Sequence, residues 1–233
     1  MHVWRIDLDV PPPLVARLHR LLSSEEKERA ARMHAPGADR RFVVSHGATR
    51  AILARYLTRP PEEIVFLTGA GGKPYLALPP GPSALCFNLS HSADLALCAV
   101  ALGRDLGVDV ERIRPVADWP QIAARYFSPN ENEALLALSD EAALTAFFQG
   151  WTGKEAYTKA LGRGISRQWS QFTVPLAPDT PTERPPASVS AGGKDVFTLW
   201  SLAPAAGYVA AVAARGTGWR LGCWHWPGPG SIA

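Results

Sequence analysis

Cys86-Phe-Asn-Leu-Ser-His-Ser-Ala-Asp-Leu-Ala-Leu-Cys-Ala-Val-Ala-Leu-Gly-Arg-Asp-Leu-Gly-Val-Asp-Val-Glu111 is the stretch whose reading decides the fold. It holds three apolar runs, Cys86 to Leu89, Leu95 to Ala101 and Gly107 to Val110. Each has the length of a strand and ends at turn residues. Polar Asn88-Leu-Ser-His-Ser92 is expected to form the corner between the first two. Successive strands joined by such short connections predict a mainly antiparallel sheet.

Upstream, Val3 to Val10 alternates apolar and polar residues, the period of a strand, and the prolines at 11 to 13 end it. A helix is expected from Leu14 to Leu22. Ser23-Ser24-Glu25-Glu26 then supplies an N-cap with acids in the first turn of a second helix. A third, from Ala38 to Tyr56, carries Phe42, Ala48, Ile52 and Leu53 at core spacing. Ile64 to Leu67 reads as a short strand, and Gly69 to Pro74 as a loop.

Downstream, helices are expected at Trp119 to Tyr126, Asn130 to Leu138 and Glu141 to Leu161. Strands are expected at Gln171 to Val174, Val196 to Leu202, Tyr208 to Ala214 and Trp219 to Trp226. Between them, Pro175 to Gly193 is rich in Pro, Ser, Thr and Ala and reads as a loop inside the domain. Each half thus runs from helices into a sheet, which predicts α+β with two similar subdomains, although no sequence repeat is evident.

The chain has 233 residues, 47% apolar and 19% charged, with a formal net charge of +3. This fits a globular protein and not a disordered one. The 24 Lys and Arg are scattered, which argues against a nucleic-acid surface and leaves room for an acidic partner or phosphorylated ligand. Cys86, Cys98 and Cys223 form no disulfide framework and suit a reducing compartment. Met1 to Val10 lacks an apolar signal region, and no apolar run reaches membrane-spanning length. The expectation is a cytoplasmic protein without a membrane span.

Four clusters can carry chemistry. In Gly107-Val-Asp109-Val-Glu111, residues two apart share a strand face, so Asp109 and Glu111 project together while Val108 and Val110 face the core. Adjacent carboxylates repel unless a proton or cation separates them, and a hard divalent cation takes oxygen ligands. The alternative is a solvated strand end.

In Trp151-Thr-Gly-Lys154-Glu155-Ala-Tyr-Thr-Lys159, the spacing of four places Trp151, Glu155 and Lys159 on one helix face. The alternative is a surface Glu–Lys pair, but Phe147, Phe148 and Tyr157 put it beside a core. Gly71-Gly-Lys73-Pro74 offers close backbone approach and a point charge. It is not a P-loop, because Pro74 stands where a metal-binding hydroxyl belongs. Asn88-Leu-Ser90-His91-Ser92 could satisfy its own backbone or present Ser90 and His91 to a phosphate.

A serine-hydrolase reading fails for want of a nucleophile elbow, and Cys223-Trp-His225 has too few ligands for zinc. Arg29, Arg40, Arg41 and Arg50 could form an anion patch on two helices.

In order and wording these motifs resemble the Sfp-type 4'-phosphopantetheinyl transferases, over about residues 20 to 175. The resemblance implies a pseudo-duplicated fold with the active site in the cleft between the halves. Residues 1–112 would form a coenzyme A-binding subdomain supplying Asp109 and Glu111. Residues 113–233 would supply Glu155 and Lys159.

It implies Mg²⁺ held by Asp109, Glu111 and Glu155, and coenzyme A held by Arg29, Arg41, Lys73, Pro74, Asn88, Ser90, His91 and Lys159. Glu131 matches a family acid near the site. The implied reaction moves phosphopantetheine from coenzyme A to a serine of an apo acyl or peptidyl carrier protein of fatty-acid, polyketide or nonribosomal-peptide synthesis. Glu155 would be the base, with Glu111 the alternative and Lys159 stabilising the developing charge. A coenzyme A-binding module and a metal-dependent phosphohydrolase are the rival readings. A monomer is expected.

Overall fold

A computed structural model describes residues 1–69, 71–78, 84–162, 167–176, 187–189 and 196–228. In chain order its elements begin with β1 (His2–Asp7), α1 (Pro12–Leu21), α2 (Ser24–Ala31), α3 (Ala38–Leu57), β2 (Phe66–Thr68) and β3 (Pro74–Leu76). Then come β4 (Leu85–Ser92), β5 (Leu95–Leu102), β6 (Leu106–Arg112), α4 (Trp119–Tyr126), α5 (Pro129–Leu136) and α6 (Asp140–Ala160). The last four are β7 (Ala187–Val189), β8 (Phe197–Leu202), β9 (Tyr208–Arg215) and β10 (Gly222–His225).

Local chemistry sets the helix starts. Ser23 Oγ accepts from the Glu26 backbone N–H while the Glu26 carboxylate accepts from that of Ser23, a reciprocal cap for α2. Ser128 and Glu131 repeat it at α5.

Two four-stranded sheets follow the orders β10-β1-β5-β4 and β6-β9-β8-β7, and β2 pairs with β3. All pairings are antiparallel except β1 with β10. Four layers result. Helices α1 to α3 pack Leu18, Phe42, Val44 and Ile52 on Ile6, Ala96, Cys98 and Val100 of the first sheet. The other face of that sheet, with Val3, Leu95, Leu97 and Ala99, meets Leu106, Val108, Val110 and Val212 of the second. On the far side, Ala156, Tyr157 and Ala160 of α6 pack on Phe197, Leu199 and Ala213. Strand β5 is covered on both faces, so its sequence is an unbroken apolar run. No helix among the described residues is long and apolar enough to cross a membrane.

The fold is α+β as expected, with differences in detail. Asn88 to Ser92 is strand and not corner; the turn is Ala93–Asp94, with Ala93 in the left-handed region at φ 48°. The polar residues serve a seam between sheets. Asn88 Oδ1 accepts from Val108 N at 2.8 Å and Ser92 Oγ from Arg112 N at 3.2 Å, which satisfies backbone donors on the edge of β6.

Gln171 to Val174 is not a strand. A 3₁₀ turn spans Arg167–Gln171, and buried side chains occupy the backbone groups that a ladder would use. Short β7 lies inside the expected Pro-rich loop; residues 177–186 and 190–193 of that loop lie outside the described residues. The expected division at residue 112 is crossed twice: β6 hydrogen-bonds to β9 of the second sheet, and β10 joins β1 of the first.

Candidate active site

Gly107 is where the site begins. A Cβ there would fall 2.1 Å from the carbonyl oxygen of Ala156 and 2.4 Å from the amide nitrogen of Ala160. The backbone of α6 therefore rests directly on β6, an approach open only to glycine. Lys159 and Glu155 of α6 are thereby carried to Asp109 and Glu111 of β6.

Lys159 Nζ donates to Asp109 Oδ1 at 2.7 Å and to Ser90 Oγ at 3.0 Å. Ser90 Oγ in turn donates to the same Asp109 oxygen at 2.8 Å. Asp109 is 5% exposed, and its second oxygen, Oδ2, is buried with no hydrogen-bond partner. Burial pushes the Asp109 carboxyl up, against the pull of Lys159. Glu111 accepts from Ser92 Oγ at 2.7 Å and from Arg114 Nη1 at 3.3 Å.

Glu155 forms no hydrogen bond or ion pair with the described residues. Burial, and then the neighbouring Asp109, push its carboxyl up to about 7. The expected alternative, a Glu155–Lys159 surface pair, does not form, because Lys159 turns to Asp109.

These groups line a pocket of about 340 Å³ with Leu89, His91 and Trp151. The helix spacing works as expected: Trp151, Glu155 and Lys159 all reach it. His91 stands at its mouth, its ring held below the ordinary imidazole value by burial and then by Lys159. The donor set is carboxylate oxygen, and Asp109 Oδ2 has a vacant lone pair, which fits a hard divalent cation. Among the described residues no three metal-ligating side chains are closed on one point; the Lys159 ammonium lies against Asp109 instead.

A larger cavity of about 670 Å³ adjoins, with the Leu89 side chain common to both walls. Arg29, Phe42, His46, Thr49, Gly72 and Pro74 help line it. His46 stacks on Phe42 at 3.7 Å between centroids, and burial pushes its ring down to about 4. Sequence reasoning missed His46 and Thr49. Their signal was the spacing from Phe42, at four and seven residues along α3.

Of the residues expected to hold coenzyme A, Arg29 and Pro74 line the larger cavity, and Ser90, His91 and Lys159 the smaller. Three are elsewhere. Asn88 belongs to the seam described above. Lys73 donates to the Leu106 carbonyl at 2.7 Å, its ammonium held below the ordinary value by burial. Arg41 bonds to the Pro36 carbonyl and pairs with Asp94 at 3.6 Å.

The anion patch does not assemble. Arg50 is buried against Glu26 at 2.7 Å, and Arg40 pairs with Asp9. Glu131 lies in the interior, 1% exposed, and off the pocket wall.

Residues 105–213 match the family model of the 4'-phosphopantetheinyl transferase superfamily, and residues 13–102 match that of the 4'-phosphopantetheinyl transferase N-terminal region. The chain is 41% identical to the 4'-phosphopantetheinyl transferase HetI of Nostoc sp. over 226 residues, 97% of this chain and 92% of that protein. It is 34% identical to psf-1 of Bacillus pumilus over 165 residues, 71% and 68% of the two chains. With Sfp of Bacillus subtilis it shares 30% over 163 residues, 70% of each.

Proposed function

The chain belongs to the 4'-phosphopantetheinyl transferase superfamily, and from that premise we propose how its residues move the phosphopantetheine arm of coenzyme A onto a carrier-protein serine. In the reaction the serine oxygen forms a bond to the β-phosphorus of the diphosphate. The bond from that phosphorus to the bridging oxygen breaks, and 3',5'-ADP leaves.

The larger cavity receives the nucleotide end, with exposed Arg29 as a cation beside buried Arg50, and Phe42, His46 and Pro74 among its walls. The diphosphate lies over the smaller pocket. There Lys159, already half-inserted among oxygen atoms, donates to the phosphate oxygens as charge builds on them. Asp109, Glu111 and Glu155 would hold Mg²⁺, which when bound supplies neutralising charge to the diphosphate. Glu155 takes the serine proton. One observation favours it over Glu111: its carboxylate is not committed to any described neighbour. Glu111 is engaged by Ser92 and Arg114.

The observation that carries this reading is the meeting of two strand acids, one helix acid and one helix lysine on a single pocket. Both halves of the chain contribute, which favours a monomer. Three free cysteines among the described residues favour a reducing compartment such as the cytoplasm.

The test is mass spectrometry of a panel of apo acyl and peptidyl carrier proteins after incubation with coenzyme A and Mg²⁺. One added phosphopantetheine is expected, lost on chelation of the metal and in Asp109→Asn. Release of free phosphopantetheine without carrier modification would favour a phosphohydrolase. Coenzyme A binding with neither product would favour a binding module.

A further inference from the structure

We infer that Glu131 and Lys154 are a positioning pair: they fix the roll of α6 about its axis, and so the places of Glu155 and Lys159. The inference rests on the reading of the pocket proposed above.

Lys154 immediately precedes Glu155 yet is 0% exposed. Its Nζ donates to Glu131 Oε2 at 2.8 Å and to the carbonyls of Trp169 and Phe172 at 2.7 Å each. An ammonium has three protons, so none is spare. Both oxygens of Glu131 are engaged as well. Its Oε2 also accepts from Ser128 N at 2.7 Å, and its Oε1 accepts from Val174 N at 2.8 Å. One ion pair thus ties α6 to the start of α5 and to both ends of the segment from Trp169 to Val174. The Phe172 ring, 4.3 Å from Nζ, seals it from solvent.

Stability alone is a weak reason for such a pair, since apolar residues of similar volume usually serve a core as well. Direction is a better one. Opposite this anchor, α6 meets β6 at Gly107, which itself puts no side chain between the two backbones. That contact sets the distance between helix and strand; Tyr157, against Phe172 and Phe197, adds an apolar contact, and the ion pair adds a directional one. With about 3.6 residues per turn, Glu155 and Lys159 lie within roughly 40° of each other, and Lys154 lies about 100° from Glu155. A roll of about 10° would move side-chain tips, some 5–6 Å from the axis, by about 1 Å. Displacements of that size cost about 100-fold in catalysis. The saturated pair is the fixed point that opposes such a roll.

The experiment compares the natural chain with Glu131→Gln/Lys154→Met, which removes both charges at similar volume, after near-ultraviolet circular dichroism has verified folding at low temperature. Three quantities are read: kcat for carrier modification, Mg²⁺ affinity by calorimetry without carrier, and the Kd of 3',5'-ADP. We expect kcat to fall about 10- to 100-fold and Mg²⁺ affinity about 10-fold. The Kd of 3',5'-ADP should stay within about twofold, because α2, α3 and the β2–β3 hairpin build the nucleotide cavity.

A folded double variant with natural kcat and Mg²⁺ affinity would overturn the inference and leave the pair purely structural. If the double variant does not fold, Glu131→Asp decides. It keeps the charge and retracts it by one methylene, so the same split is expected at smaller amplitude, and an unchanged kcat is fatal. Glu155→Gln separates this inference from its premise. Full transfer by Glu155→Gln removes the functional reading itself. An inactive Glu155→Gln beside an unaffected pair variant removes only the positioning role.

Discussion

Lys154 and Lys159 stand five residues apart on α6, and each makes an ion pair with an acid from another element. At Lys154 the side chain is 0% exposed, every donor is matched, and both oxygens of Glu131 are engaged. At Lys159 the side chain is 29% exposed, and Asp109 keeps one oxygen with no partner. The two sides of the helix share their chemistry and differ in how completely it is used. The saturated pair has no capacity left for anything but holding chain segments together. The unsaturated one leaves an unpartnered oxygen on an acid that lines a pocket, and that is where a ligand can gain interaction energy.

The sharpest way to break this contrast is at Glu155. Glu155→Gln should reduce carrier modification by about 10³-fold, within the usual range for loss of a general base, while the protein stays folded. Product quantification by mass spectrometry checks this, and a loss under tenfold would deny the pocket side its chemical role.

On the dry side, Lys154→Met alone strands the Glu131 carboxylate and should cost about 3–5 kcal/mol in urea unfolding. A cost below about 1 kcal/mol would mean that water reaches Glu131.

Gly107→Ala tests the contact that brings the two sides into register. Its methyl must displace α6, so about 1–3 kcal/mol of stability should go. Carrier modification should fall by more than the folded fraction accounts for.

Acidity offers a subtler probe. The Glu155 carboxyl holds its proton up to about 7 in the folded chain, against an ordinary value of 4.5. The native state therefore binds more protons than the unfolded state between these limits. The contribution of Glu155 to stability is full below about 4.5 and is lost as pH rises toward 7. Metal-free thermal melts across that window should flatten in Glu155→Gln; an identical slope would contradict the crowding of acids in the pocket.

The smallest effect is expected for Lys159→Met. It should cost less than about 2 kcal/mol, because Lys159 is 29% exposed, so water can enter where its ammonium stood, and Ser90 still donates to Asp109. A loss as large as that of Lys154→Met would erase the distinction between the two lysines.

Periodicity made the reacting groups legible. A spacing of two set Asp109 beside Glu111, and a spacing of four set Trp151, Glu155 and Lys159 on one face. What it could not show was which charges are buried. Arg50 read as a surface cation, yet it pairs with Glu26, 24 positions away. Lys154 carried no local sign of its partner in α5. Lys73 sat in a phosphate-like motif and Arg41 among candidate anion-binding cations, but a carbonyl at the start of β6 and a carboxylate in the β4–β5 turn hold them.

Asn88, Ser90 and Ser92 were read as a corner because their polarity matches turn composition. Their spacing of two was the better guide: Asn88 and Ser92 accept from backbone N–H groups on the edge of β6, and Ser90 donates to the Asp109 carboxylate. Gln171 to Val174 carried a strand-like composition, but Lys154 and Glu131 claim its backbone. In each case the deciding partner lay far along the chain, where no window of local sequence reaches.

The pairing of β1 with β10 has a consequence for biosynthesis. β1 leaves the ribosome well before its parallel neighbour β10, with which it aligns from His2 with Gly222 to Arg5 with His225. One flank of the first sheet must wait, uncovered, through translation of nearly everything between. A message cut short before β10 would yield a chain that already carries every acid of the pocket but has an unsealed sheet edge, marked for chaperones and proteases.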